Sequence, residues 1–245
     1  VMDLDVRNGK VQDFRYRLLP VFSNLLPANA EMQAYIDKVR APYRDQLEEE
    51  LAVATETLYR RGNFNGTFDQ VICDALNEVN DAQISLSPGF RWGTTVLPGQ
   101  TITMDNVMDQ TCITYPETYR REMTGEDIKV ILEDVCDNLF NVDPYFQQGG
   151  DMVRVGGLDY VCDPTAGFGK RISNMTLDDG TPIDAAKKYV VSGWATVSSQ
   201  APGRPIWEVV ADYLRVKGEA KIKKLNTPKL VNVGGNPGIE DYIKG

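Results

Sequence analysis

An α+β fold, a mixed sheet with packed helices preceded by a long helix and a β-hairpin, is what this 245-residue sequence predicts. Three observations carry that expectation. Residues 1–21 alternate apolar and polar around Asn8-Gly9. Several segments repeat apolar residues every three or four positions, and from Gly149 onward the period shortens to two. Period 3.6 marks a helix with one buried face, and period 2 a strand with one buried face.

The elements follow in chain order. Asn-Gly suits a two-residue hairpin turn, because both central positions need positive φ, so Leu4 and Val6 pair with the run Val11, Phe14, Tyr16. A lone hairpin cannot bury its apolar face, so these strands are expected to pack on sequence upstream of residue 1. Residues 29–60 read as helix through Met32, Tyr35, Val39, Tyr43, Leu47 and Leu51, with a kink near Arg40-Ala41 caused by Pro42. This pattern fits an inter-domain connector and equally a surface helix. A helix over 67–79 has Thr67 as its expected N-cap and Val71, Ile72, Ala75, Leu76 and Val79 on one face. Strands are expected at Ile84–Leu86 and Thr101–Met104, with Asp105 capping a short helical turn. Thr124-Gly125-Glu126-Asp127 opens a helix that points Ile128, Ile131, Leu132, Val135 and Cys136 inward. Met152–Cys162 contains Gly156-Gly157 and so predicts a strand with a bulge. Arg171–Leu177 and Lys188–Trp194 are expected to extend a meander, and Trp207–Val216 forms the last helix. The final twenty residues read as a tail on the surface.

Composition removes several function classes. A net charge of −9 with scattered basic residues argues against nucleic acid as a partner. No apolar run is long enough to span a membrane. Histidine is absent, and most hydrolytic metal centres and Ser or Cys nucleophile systems use it. This chain is therefore not expected to carry a complete hydrolytic centre. The four cysteines, Cys73, Cys112, Cys136 and Cys162, form no CxxC pair, which excludes a zinc knuckle or thioredoxin motif. Two disulfides and buried free thiols both fit that count.

One stretch looks built for anions. Ile84–Ser87 ends in Pro88-Gly89 and then presents Arg91 between Phe90 and Trp92. Arginine grips an oxyanion with a rigid, permanently charged fork, and flanking aromatics can hold that fork by stacking. An ordinary surface arginine after a strand satisfies the same pattern.

The order of elements resembles the C-terminal domain of the 5′-nucleotidase family over roughly residues 50–215. The likeness is carried by the helix 67–79, Ile84–Arg91, Pro98-Gly99-Gln100-Thr101-Ile102-Thr103, Glu122-Met123-Thr124-Gly125 and Gly149-Gly150…Val155-Gly156-Gly157-Leu158. It implies three parts: 1–27 as the terminal strands of an N-terminal metallophosphoesterase domain, 28–62 as a linker helix, and 63–245 as a substrate-binding domain. The segments Thr111–Tyr119 and Gly193–Ser199 stand where nucleotidases clamp the base with aromatics, and they depart from that pattern. Asp13–Pro20, Arg61–Thr67 and Gly149–Gly157 instead resemble the SoxB thiosulfohydrolases.

That resemblance implies a periplasmic hydrolase that removes the sulfonate of a cysteine S-thiosulfonate on the carrier SoxYZ and releases sulfate. It implies two manganese ions in the N-terminal domain and none in this chain. Arg91 would be the residue that stabilises charge on the sulfonate. Arg60 would bind substrate, or serve only as a charge at a helix end. Tyr115 and Trp194 would line a channel for the carrier's arm, or pack in the core. Gly149 and Gly150 would let backbone approach the substrate, or form a structural turn. Arg154 reads as a salt-bridged sheet residue. A true nucleotidase domain and a non-catalytic binding module of the same fold are the competing expectations.

Overall fold

The structure is a computed structural model that describes residues 1–22, 25–60, 62–90, 92–196 and 201–235. The chain divides into two compact units, 1–45 and 46–245. In the first, β1 (Met2–Arg7) and β2 (Lys10–Tyr16) form the expected hairpin, with Asn8 and Gly9 at φ of 53° and 72°. Its apolar side chains stay open to solvent, Phe14 at 61% and Tyr16 at 60%. Helix α1 (Ala30–Arg40) is capped by Asn29, whose side chain accepts from the Met32 N–H.

The predicted 29–60 helix is too long. After α1 comes a 3₁₀ turn at Ala41–Tyr43, where Pro42 interrupts the pattern, then a short α2 (Arg44–Leu47). Residues Glu50–Ala54 are strand β3. Leu51 continues the helical spacing from Leu47, yet the backbone of β3 is claimed by two distant partners. It pairs antiparallel with β5 (Thr101–Thr103) and parallel with β11 (Glu219–Ala220). Long-range ladder bonds have overridden a local period.

The second unit has an α+β architecture, as predicted. Its main sheet runs β6 (Thr118–Thr124), β10 (Lys188–Trp194), β4 (Ile84–Ser87), β7 (Arg154–Gly156). Strand β10 is parallel to β4 and antiparallel to β6, so the expected meander is broken. Of the strands expected in that meander, β8 (Leu158–Cys162) and β9 (Ile172–Leu177) do pair antiparallel, joined by β12 (Lys229–Leu230) from the tail. Gly157, at φ +72°, redirects the chain between β7 and β8. Strand β6 has no counterpart in the sequence expectation.

Helix α3 (Thr67–Val79) has the predicted span but a different start. Gly66 holds the N-cap position without a side-chain bond, while Thr67 Oγ1 accepts from Tyr59 N–H and donates to the Thr57 carbonyl. Thr103, not Asp105, caps α4 (Met104–Thr111) through a reciprocal bond pair with Asn106. The Thr124–Asp127 box starts α5 (Gly125–Phe140) as expected, and α6 (Ile206–Lys217) closes on Gly218 in the left-handed region.

Two cores result. One joins α3, α4 and α6 to the β3 sheet through Ile72, Leu76, Ile102, Val107, Val210 and Leu214. The other packs α5 against the main sheet and β8 through Ile84, Ile128, Leu132, Leu158 and Val191. Each such fully buried aliphatic contributes about 1.5–3 kcal/mol, which is what makes helices of this length persist.

Candidate functional site

The main sheet opens at one end. Parallel strands β4 and β10 finish side by side, at Ser87 and Trp194, and a cavity of about 390 Å³ lies there. Open sheets place ligands beyond the carboxyl ends of parallel strands because the connections diverge at that point. Ser87, Pro88 and Gly89 leave β4; Trp194, Ala195 and Thr196 leave β10; Tyr119 and Arg121 rise from β6. Ile131 and Val135 of α5 supply an apolar wall, and Gly150, Asp151 and Val153 close the side next to β7.

Close packing sets the floor. The Trp194 indole donates to Ser87 Oγ at 2.8 Å, so the two strand ends are tied by a side-chain bond. A Cβ at Gly193 would collide with the Tyr119 hydroxyl, and one at Gly89 with the Met152 carbonyl. Both glycines are therefore required by neighbours. Burial raises the Tyr119 pKa, while Arg121, whose guanidinium lies 4.6 Å from the ring centre, opposes that rise. Tyr119 thus stays a neutral donor at the edge of a cationic lip.

Beneath the cavity lies a cluster of four buried charges. Asp69, in the first turn of α3, receives Arg60 Nε at 2.7 Å on one oxygen and faces Arg154 Nε at 3.2 Å on the other. Arg154 also meets Asp151 at 3.2 Å and donates to the carbonyls of Gly62 and Asn63. Arg60 donates to the carbonyls of Gln110 and Pro88, the latter at 2.9 Å. Burial pushes the Asp69 pKa up against the pull of both guanidiniums. Three loops, 60–66, 87–93 and 149–153, are therefore hung from one carboxylate and two arginines.

The sequence-predicted residues meet different fates. Arg91 lies outside the described residues. Its neighbours Phe90 and Trp92 stack directly on each other, ring centroids 3.8 Å apart. Phe90 meets Trp194 edge-on at 6.0 Å. Arg60 is only 1% exposed, with its fork engaged and its carbon 5.4 Å from the Phe90 ring centre. That placement suits a residue that holds the 87–93 loop, not one that touches substrate. Trp194 is both core and cavity lining. Tyr115, in the connection between α4 and β6, is exposed and is not part of the cavity wall. Gly149 and Gly150 both adopt left-handed φ, 80° and 90°, and only Gly150 reaches the cavity. Arg154 is the salt-bridged sheet residue expected.

Sequence reasoning missed Asp69, Tyr119, Arg121 and Asp151. Asp69 reads as a dipole partner at a helix start, a position where acids are common. Arg121 belongs to a run of charged residues, Arg120-Arg121-Glu122, that resembles any solvated surface. Among the described residues no group of three His, Cys, Asp or Glu side chains is arranged to hold a metal, and no helix is long and apolar enough to cross a membrane.

Comparison with known proteins agrees with this geometry. Residues 49–212 match the family model of the 5′-nucleotidase C-terminal domain. Among solved structures, the Thermus thermophilus sulfate thiohydrolase SoxB, in complex with glycerol, is 37% identical with a TM-score of 0.87. That match covers 94% of this chain and 44% of the SoxB chain. A 5′-nucleotidase precursor, also from Thermus thermophilus, is 17% identical, TM-score 0.74, covering 94% of this chain and 49% of its own. The NAD nucleotidase of Haemophilus influenzae is 16% identical, TM-score 0.58, covering 83% of this chain and 42% of its own. The last two likenesses concern the fold alone. No curated protein matches. The chain spans less than half the length of each of these structures. With the family model covering most of the second unit, and the sheet, helices and cavity arranged as described, this chain belongs to the 5′-nucleotidase C-terminal domain family.

Proposed function

We propose that this chain is the substrate-binding part of a SoxB-like thiosulfohydrolase, a hydrolase that removes the sulfonate from a cysteine S-thiosulfonate on a carrier of the SoxYZ type and releases sulfate. One observation carries the reading: identity to SoxB is 37% over nearly the whole chain, against 17% and 16% for the two nucleotidases. The departures at Thr111–Tyr119 and at Gly193-Trp194-Ala195-Thr196 support it, since the described residues of the cavity wall include no stacked aromatic pair suited to a base. Export to the periplasm is part of the same proposal.

In this reading the chain's own residues bind and orient. Arg91 offers a permanent cation to the sulfonate oxygens, where negative charge develops. Arg60 holds the loop that carries Arg91, through the Pro88 carbonyl. Arg121 and Tyr119 supply further donors on the lip, and Ile131 and Val135 exclude water from one side. The two manganese ions expected of such an enzyme do not fit the described residues, which offer no donor set. The proposal assigns them to the remainder of the protein.

The test uses the complete enzyme with two substrates, a carrier-bound cysteine S-thiosulfonate and AMP. Turnover of the first alone is the expected result; turnover of AMP alone returns the chain to the nucleotidases. Arg91→Ala is expected to lower turnover about a hundredfold or more, the scale for losing one oxyanion donor. Unchanged kinetics would remove Arg91 from the site. This chain by itself is expected to hydrolyse neither substrate, and metal-dependent turnover by it would refute the division of labour.

A further inference from the structure

Two of the four cysteines meet across the second core. Cys136, on the inner face of α5, and Cys162, the last residue of β8, bring their sulfur atoms to 3.6 Å, and both side chains are wholly buried. Cys73 is buried in α3, and Cys112 is exposed at the end of α4. Among the described residues this is the one sulfur pair in contact. We propose that Cys136 and Cys162 are a disulfide-forming pair, a covalent staple between helix α5 and strand β8 that is closed while the chain folds in an oxidising environment.

The chemistry requires an oxidant, and a protein or glutathione disulfide serves. One cysteine thiolate attacks a sulfur of that disulfide, forming a mixed disulfide and expelling one thiol. The second cysteine thiolate then attacks the mixed disulfide and expels the second thiol. Two protons leave the cysteines and two electrons pass to the oxidant. The timing follows from burial. In the folded chain the Cys162 thiol and loss of solvent hold the Cys136 thiol far above its ordinary pKa, so the attacking thiolate is scarce. A fully buried pair also offers an oxidant no approach. The bond therefore forms before α5 settles on β8, or not at all.

The staple has a place to act. The residues just before Cys136 on the same helix, Ile131 and Val135, form the apolar wall of the cavity. On the far side, Cys162 is paired with Ile172 of β9 and Leu230 of β12. A bond here would pin the cavity wall to a three-stranded sheet and close a chain segment spanning 26 positions. Loops of that length gain stability from cross-linking mainly because the unfolded chain is restricted.

The complete protein carrying this chain tests the idea, produced once in an oxidising compartment and once in reducing cytosol. Each sample is denatured in an alkylating reagent and digested without reductant. The expected result is a Cys136–Cys162 linked peptide from the oxidised sample only, with Cys73 and Cys112 alkylated in both. The oxidised protein is expected to melt about 5–10 °C above the reduced one, and Cys136→Ala to abolish that difference. Should that variant not fold, Cys162→Ala and the peptide map of the unaltered protein decide. Four alkylated thiols after oxidative production, or a linkage through Cys73 or Cys112, would overturn the proposal.

Discussion

Two charged regions of the second unit have similar composition and opposite character. Beneath the cavity, Arg60, Asp69, Arg154 and Asp151 are shut away from solvent and each is held by named partners. On another face, a cleft of about 570 Å³ is lined by Asp74, Glu78, Asp178, Lys217, Lys223 and Lys224 among others. There Lys217 pairs with Glu78 at 2.7 Å and Lys224 with Asp178 at 2.8 Å, but these side chains are a third to a half exposed. Water screens these two lysine pairs and leaves them little to do for stability. The first set has lost its water, so each member is costly to remove and strict in the geometry it holds. Charge content alone says nothing about which of these a region is; desolvation decides.

Substitution should cost most in the buried cluster. Asp69→Ala leaves the buried Arg60 guanidinium without its carboxylate and Arg154 with Asp151 alone, and is expected to cost about 3–5 kcal/mol, read from the denaturant midpoint. A loss below about 1 kcal/mol would mean that the cluster is hydrated. Next comes a gain. Burial pushes the Asp74 pKa from 3.8 to about 6. The folded chain therefore binds that proton more tightly than the unfolded one, and stability falls as pH rises between those two values. Asp74→Asn should recover on the order of 2 kcal/mol at pH 7 and nothing below about pH 4, measured by melting at both. Trp194→Phe removes the bond to Ser87 and should cost about 1–2 kcal/mol, with turnover of the complete enzyme falling as the strand ends loosen. Lys224→Ala, in the wet cleft, is expected to cost less than about 1 kcal/mol and to lose even that in high salt.

Much of the fold was legible because local and global signals agreed. The span of α3 and the Thr124–Asp127 start of α5 follow from apolar period and capping chemistry, and β10 has its expected bounds although not its expected meander. The failures have separate causes. Strand β3 was hidden because Leu51 continues a helical spacing, while its pairing depends on Ala220, far along the chain. Strand β6 was hidden because Arg120, Arg121 and Glu122 are all exposed, at the edge of the sheet, where no apolar alternation is imposed. The site shows the same division. The Pro88-Gly89 turn and Trp194 stood out as types, whereas Asp69 and Arg60 acquire their meaning only from the three loops they draw together. Phe90 stacks on Trp92 because two flat apolar faces bury surface against each other, a contact between residues two apart that no spacing announces.

The position of β10 has a consequence for how the protein is made. This strand fills the gap between β4 and β6, yet both of its neighbours precede it in the chain. Strand β4 ends at Ser87 and β6 at Thr124, while β10 begins only at Lys188. A chain emerging from the ribosome therefore has two strands of the main sheet that cannot be joined through β10 until Trp194 has appeared. Non-local pairing of this kind is slow, and an unpaired strand edge is sticky. The cavity, whose floor is the junction of Ser87 and Trp194, cannot be completed before β10 is in place. Any nascent chain that stalls before Lys188 would expose the edges of β4 and β6 to other chains, so correct synthesis of this unit depends on its late strand arriving promptly.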